Sequence, residues 1–442
     1  MARGFIKGDR QQMFLLPPSV DDWVPADHPV RFIQTCLEQM DLQCFYKHYA
    51  SEGRPPYDPQ TMLGILMYAY SKGLRSSRKI SKACEDEVPF RWISGNIAPD
   101  HRTICRFRAK HGKDFTKIFN EILRLCAEAG LIRLGEIFLD GTKVKANAAL
   151  SANHTMDHIT KILEEAEAVD KAEDEEFGED ERGDRLPKEL VDPKERIKRI
   201  KEAKARLDKE LKKKQDEQAK KVKEHEESGP KRGRKPKSPD EVTIDKKANT
   251  TDPESRIMKD RKGFVQAYNC QAACTKDQII VSAEVTQEEN DLHQLEPMLQ
   301  KTESTLRESG IKGKVKAIAA DAGYFRDDLD VEGIEKEGPE LLVCTKKSHK
   351  LRKELKEKGS PKGRIPKNIS TRDRMDRRLL TKRGYAIYKK RSYTIEPVFG
   401  QIKECLNMDS FLRRGLEAVK SEWTLICSIS NLMKLFRHKA MA

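Results

Sequence analysis

Glu136-Ile137-Phe138-Leu139-Asp140-Gly141-Thr142-Lys143 is the stretch from which the fold can be read. Its apolar run reads as a buried strand that ends by delivering one carboxylate, followed at once by a glycine. Burying a lone carboxylate is costly, because desolvation disfavours the charged form unless a cation offsets it. The acid therefore asks for partners. Val315-Lys316-Ala317-Ile318-Ala319-Ala320 repeats the arrangement and ends in Asp321-Ala322-Gly323-Tyr324-Phe325. A third acid, Glu396, lies between Tyr388 and Lys403 and is expected to open an apolar helical segment. Three acids delivered in this way are expected to converge on divalent metal.

Composition narrows the class of protein. The chain has 442 residues, long enough for two or three domains, yet only 37% are hydrophobic, 36% are charged, and the net charge is +14. Such a balance favours a protein that meets a polyanion. No apolar run approaches the length of about 18 residues that marks a membrane span, and residues 1–7 lack the apolar core of a signal peptide, so a cytoplasmic, nucleoid-associated protein with no membrane partner is expected. Ten cysteines occur with no Cys-x2-Cys pair, so neither a disulfide framework nor a zinc ribbon is readable.

Residues 1–130 read as short helices separated by turns. Pro29 to Met40 is amphipathic through Val30, Phe32, Ile33 and Leu37. Asp58-Pro59 supplies an N-cap and a proline at the first helical position, and Met62 to Tyr70 is apolar on nearly every side, as in a buried helix. Three further segments end in a basic one from Asp100 to His111, carrying Arg102, Arg106, Arg108 and Lys110. This pattern suggests a helix-turn-helix-like DNA-binding module, with Arg102 and Arg106 as candidate DNA contacts. A helix from Lys117 to Ala129 follows, and Gly130 reads as its cap and a domain boundary.

Between 155 and 244 the composition changes. Met156, Ile159, Leu163 and Ala166 mark a narrow stripe on an acidic segment, and Ile197, Ile200, Ala203, Leu207 and Leu211 mark one on a basic segment. Two such helices suit a charged hairpin inserted after the first core strand, and a solvated arm is the bland alternative. Gly229-Pro230-Lys231-Arg232-Gly233-Arg234-Lys235-Pro236-Lys237 follows, and resembles an AT-hook, in which Arg232 and Arg234 would enter a narrow minor groove.

Strand signals resume at Gly263–Ala273 and Gln278–Val285, then a helix from Asn290, the strand before Asp321, a helix from Asp327, the strand Leu341–Thr345, a basic stretch Lys346–Arg383 sparse in apolar side chains, and final helices that hold Trp423, Ile426 and Leu432. With the insertion set aside, this is three antiparallel strands followed by parallel strands with crossover helices. That order is expected of an α/β ribonuclease-H-like catalytic core made of 131–154 and 245–442. Two metal ions held by carboxylates would suit phosphodiester chemistry, and oxygen ligands suit Mg²⁺.

At this point the chain resembles the insertion-element DDE transposases. Asp140 in Phe-Leu-Asp-Gly-Thr-Lys matches the first-acid motif, Asp321 in Asp-Ala-Gly-Tyr-Phe the second, and Glu396 the third, with Tyr388, Arg391 and Lys403 as companions. Four residues separate Arg391 from Glu396, where the family pattern has three. Asn249 to Arg256 and the helix from Asn290-Asp291 also look like this branch. The resemblance implies nicking and strand transfer at the ends of an insertion element in double-stranded DNA by a homodimer. It implies two Mg²⁺ ions (Mn²⁺ able to substitute) held by Asp140, Asp321 and Glu396, with Lys403, Arg391 and Tyr388 meeting DNA. A metal-dependent nuclease that does not join strands and an inactive DNA-binding relative are the alternatives.

Overall fold

The computed structural model describes residues 19–49, 55–164, 193–227, 238, 246–260, 263–346, 348–366 and 369–441. The chain divides into two compact units, one made of residues up to Ala129 with those from Ser428 onward, the other of Gly130–Cys427.

The first unit holds helices α1 (Pro29–Glu38), α2 (Gln43–Tyr46), α3 (Pro59–Ser71), α4 (Ser77–Asp86), α5 (Val88–Ile93), α6 (His101–Lys110) and α7 (Phe115–Glu128). Their starts follow local chemistry. Asp58 accepts the backbone N–H of Thr61 at 2.8 Å and Pro59 follows as the first helical residue, so α3 begins where the sequence says it should. Every residue from Met62 to Tyr70 is buried, which accounts for its lack of a polar face. Asp100 caps α6 through the N–H of Thr103 at 2.7 Å. Arg108 departs from the expected basic face of α6. Its guanidinium is turned inward and donates to Tyr70 Oη at 3.0 Å, to Arg75 O at 2.9 Å and to Ser77 Oγ, because a buried cation must find acceptors.

The second unit is built on a sheet of six strands: β1 (Glu136–Lys145), β4 (Arg256–Asp260), β5 (Gly263–Thr275), β6 (Ile280–Thr286), β7 (Ala317–Ala320) and β8 (Glu340–Val343). A two-stranded pair, β2 (Asn153–His154) with β3 (Ala248–Asn249), lies apart from it. β5 is the longest strand and occupies the middle. It pairs antiparallel with β1 on one side, and with β4 and then β6 along the other. β7 pairs parallel with β1, and β8 parallel with β7. The expected three antiparallel strands (β1, β5, β6) and two parallel ones (β7, β8) are present in a mixed α/β unit, and β4 is an additional antiparallel strand that the sequence reading did not include.

Crossing segments carry helices α10 (Leu295–Glu308), α11 (Val331–Glu337), α12 (Ser348–Lys358), α13 (Thr371–Leu379), α14 (Lys382–Glu404) and α15 (Leu416–Met441). α10 packs on β5 and β6, while α14 lies over β1, β5 and β7. Two expectations about the acids' settings change. β1 does not end at Asp140 but runs to Lys145, because β5 goes on pairing with it after β7 has stopped. Glu396 does not open a helix but sits well inside α14, which passes through Pro397. An interior proline cannot donate to the carbonyl four residues back, here Tyr393 O. Gln278 Nε2 donates to that oxygen at 3.1 Å and replaces the missing partner.

Two helices flank residues 165–192, α8 (156–164) and α9 (Pro193–Glu227). Ile159 and Leu163 pack in one apolar cluster with Ile200, Ala203, Leu207 and Ala248, with Met156, Ile162 and Ile197 at its margin. These are the two stripes read from the sequence. Ala166 of the first stripe, and Arg232 and Arg234 of the AT-hook-like run, lie outside the described residues. Arg206 ties α9 to the chain beside it by donating to Pro253 O at 2.9 Å and Lys247 O at 3.2 Å. The Asn249 to Arg256 motif is a staple: Asn249 Oδ1 accepts from the N–H of Thr251 and Asp252, and Asp252 accepts from Tyr268 Oη at 2.9 Å. Glu254 accepts the first N–H of α15, that of Leu416, at 2.7 Å.

Candidate active site

Parallel pairing of β1 with β7 runs from Glu136 opposite Ala317 to Leu139 opposite Ala320. The next residue in each chain is an acid, Asp140 and Asp321, so register sets the two carboxylates side by side where the parallel pairing ends. Carboxyl ends of parallel strands are where open α/β sheets bind their ligands. Asp321 also caps the short turn Ala322–Tyr324, with Oδ1 accepting the N–H of Gly323 at 2.8 Å.

Helix α14 contributes the remaining charged groups. Arg391 donates from Nη1 to Asp140 Oδ2 at 2.7 Å, and its Nη2 lies 3.4 Å from Glu396 Oε1. One guanidinium thus joins the first and third acids across 251 and 5 residues of chain. Glu396 is about half exposed, whereas Asp140 and Arg391 are largely buried. Burial pushes Asp140 up to about 7, outweighing the pull of Arg391, and the charges of Asp321 and Asp291 push the same way. The guanidinium moves above its ordinary range because Asp140 and Asp321 favour its charged form more than burial opposes it. Lys143, partly buried on β1, is a second cation in the field of Asp291 and Asp321.

Asp291, on the turn between β6 and α10, is an acid the three-residue reading passes over. Its Oδ1 accepts from Asn269 Nδ2 at 2.7 Å and Gln271 Nε2 at 2.6 Å, both from buried side chains of β5. Gln271 Oε1 in turn accepts the hydroxyl of Tyr324, and Gln271 O accepts Trp423 Nε1 at 3.1 Å. The sequence signal that could have found this acid was Asn290-Asp291 itself, read there only as a helix start.

The remaining candidates fall in several places. Tyr388 is buried, its ring centroid 6.0 Å from the Arg391 guanidinium carbon. Lys403 donates to Lys143 O at 3.0 Å, which ties α14 to β1. Arg102 and Arg106 are exposed on α6 in the other unit. Glu404, the acid eight residues after Glu396, is exposed beyond Lys403 on the same helix. Among the described residues, a set of three His, Cys or acid donors within 4.8 Å of one another is His48, His111 and Asp114, in the helical unit. Those three are already joined to each other: His111 Nδ1 and His48 Nε2 both lie 2.9 Å from Asp114 Oδ2, and Tyr49 Oη lies 3.0 Å from His111 Nε2.

The acids around Asp140 offer oxygen donors from strand ends and a helix, so they fit a hard divalent cation better than a soft one.

Two family models match the chain. One, described as Transposase domain (DUF772), covers residues 18–110, and the other, described as Transposase DDE domain, covers residues 236–432. The second includes Asp321 and Glu396, while Asp140 lies between the two matches. No curated protein and no solved structure matches the chain. No described helix is long and apolar enough to cross a membrane.

Proposed function

Because the chain belongs to the insertion-sequence transposases with a DDE domain, a family that acts on DNA and normally uses divalent metal ions, we propose that Asp140, Asp321 and Glu396 are its catalytic acids. On this reading they hold two Mg²⁺ ions, with Mn²⁺ able to substitute, and the enzyme nicks and joins DNA at the ends of an insertion element. The observation that carries it is the strand register that sets Asp140 beside Asp321, with Arg391 linking Asp140 to Glu396. When bound, Mg²⁺ supplies positive charge against the attacking and leaving oxygens of the scissile phosphodiester. Burial favours the protonated form of Asp140, so holding a cation would require this carboxyl to release its proton. Arg391, released from the carboxylates, is then free to meet a DNA phosphate as a forked donor. Tyr388 lies with its ring beside that guanidinium, and Lys403 holds α14 against β1.

The surrounding parts take supporting roles in this reading. Residues 1–130 bind DNA, with Arg102 and Arg106 on the exposed side of α6 as contacts. Residues 131–154 and 245–442 form the ribonuclease-H-like catalytic domain, and 155–244 form a charged helical insertion whose basic run, with Arg232 and Arg234, adds DNA affinity. The enzyme works as a homodimer at the nucleoid, since two element ends must be brought together.

Asp140→Asn, Asp321→Asn and Glu396→Gln should each abolish cutting of element-end DNA in Mg²⁺ while leaving end binding nearly intact. Near-normal cutting by any one of the three removes that residue from the metal centre. Pre-cleaved ends mixed with a target plasmid separate this reading from a plain nuclease, because only a transposase joins them.

A further inference from the structure

Asp291 sits against the glycines that follow both strand acids, and its charge acts on Asp140. A Cβ built on Gly141, the residue after Asp140, would meet Asp291 Oδ1 at 2.5 Å, and one built on Gly323 would meet Asp291 Oδ2 at 3.3 Å and Asp321 Oδ1 at 3.0 Å. Gly141 leaves the room that this carboxylate occupies, and at Gly323 a side chain would be in tight contact with it. An Asp just before a helix is ordinarily a cap, but α10 is capped at Gln294 with no side-chain bond, and the carboxylate of Asp291 points to the sheet instead.

Its holders are unusual in the same direction. Asn269 is fully buried, donates its amide N–H to Asp291, and leaves its Oδ1 without a hydrogen-bond partner, 3.1 Å from the Cβ position of Gly141. An orphaned buried carbonyl oxygen is costly to leave unmet, and this one, beside the residue that follows Asp140, is a further hard oxygen donor. Gln271, the other holder, also receives the hydroxyl of Tyr324, which belongs to the turn that Asp321 caps. The groups that fix Asp291 thus fix Asp321 as well.

We propose that Asp291 is a fourth carboxylate of the metal centre, holding a divalent cation through the oxygen that faces Asp321. The proposal rests on the reading of Asp140, Asp321 and Glu396 given above. Two divalent ions bring more positive charge than the three acids, two of them also bonded to Arg391, can offset, and Asp291 adds a further negative charge.

The test is Mn²⁺ binding by the full chain without DNA, followed by the electron paramagnetic resonance signal of free Mn²⁺. Asp291→Asn keeps the shape and the acceptor oxygen but removes the charge, and should weaken Mn²⁺ binding by about tenfold or more. Affinity within about twofold of wild type overturns the proposal, as does a lower melting temperature in EDTA with Mn²⁺ affinity unchanged, since that is what a structural role alone would give. Asp140→Asn, measured alongside, keeps the two readings apart. Loss in Asp140→Asn but not in Asp291→Asn sinks only the fourth ligand, whereas loss in Asp291→Asn alone supports it and sinks the placement of Asp140. If Asp291→Asn does not fold, the wild-type protein loaded with Fe²⁺ and treated with ascorbate and peroxide should be cut next to Asp291 as well as next to Asp140 and Asp321. Cuts at the latter two without one at Asp291 overturn it too.

Discussion

A methyl group on Gly141 would press on two polar atoms at once, Asp291 Oδ1 and Gln271 Nε2, each 2.5 Å away. Neither can retreat without breaking the bond they make to each other. Gly141→Ala should therefore cost about 1–3 kcal/mol of stability in a urea melt, the usual range for overpacking. It should also lower cutting more than Lys143→Ala, a change two residues away on the same strand. At His111 the relevant variable is pH. Burial holds this imidazole below its ordinary 6.5 and outweighs the raising pull of Asp114. The unfolded chain then takes up the proton first as pH falls, so the stability contributed by a neutral His111 is complete above pH 6.5 and declines below it. Melts of wild type between pH 7.5 and 5.5 should show this loss, and His111→Gln should show a shallower slope.

Helix α14 crosses a proline because another element supplies what the proline removes. Gln278→Ala deprives Tyr393 O of its donor and should cost about 1 kcal/mol, the usual net value of one hydrogen bond. Pro397→Ala restores an N–H to that carbonyl, so the same Gln278→Ala change made in that background should cost less. A double-mutant cycle by chemical denaturation reads the difference, and equal costs in both backgrounds would remove the compensation. At the start of α3, Asp58→Ala should cost about 1 kcal/mol through loss of the cap. That cap was legible because Asp-Pro ahead of an apolar run is a local signal. The mid-helix position of Glu396 was not, because proline reads locally as a helix start, and the amide that lets α14 continue comes from residue 278, far back in the chain.

For the whole molecule, the excess of positive charge should show as salt-dependent DNA binding. Each phosphate contact contributes about 0.9 to the slope of log affinity against log salt concentration. Deleting 231–237 should lower both affinity and slope if Arg232 and Arg234 enter DNA. Unchanged values would make the run a plain linker. Such a titration, made on element-end DNA and on unrelated DNA of the same length, also separates a sequence-reading contribution of α6 from a purely electrostatic one. Arg102→Ala and Arg106→Ala should reduce binding to both DNAs if these side chains meet only phosphate.

Amino-acid order by itself determined the helices of the first unit, the strand that leads to each of Asp140 and Asp321, most of the two apolar stripes of α8 and α9, and the family, but not β4, α12 or α13. These depend on periodicity, caps and motifs, which act over a few residues. Only the tertiary structure decided that β1 outlasts its pairing with β7, that Arg108 turns inward, that Arg391 bridges two acids, and that Asp291 stands beside them. Each of those depends on partners far apart along the chain, held by burial and hydrogen bonds that no local pattern encodes.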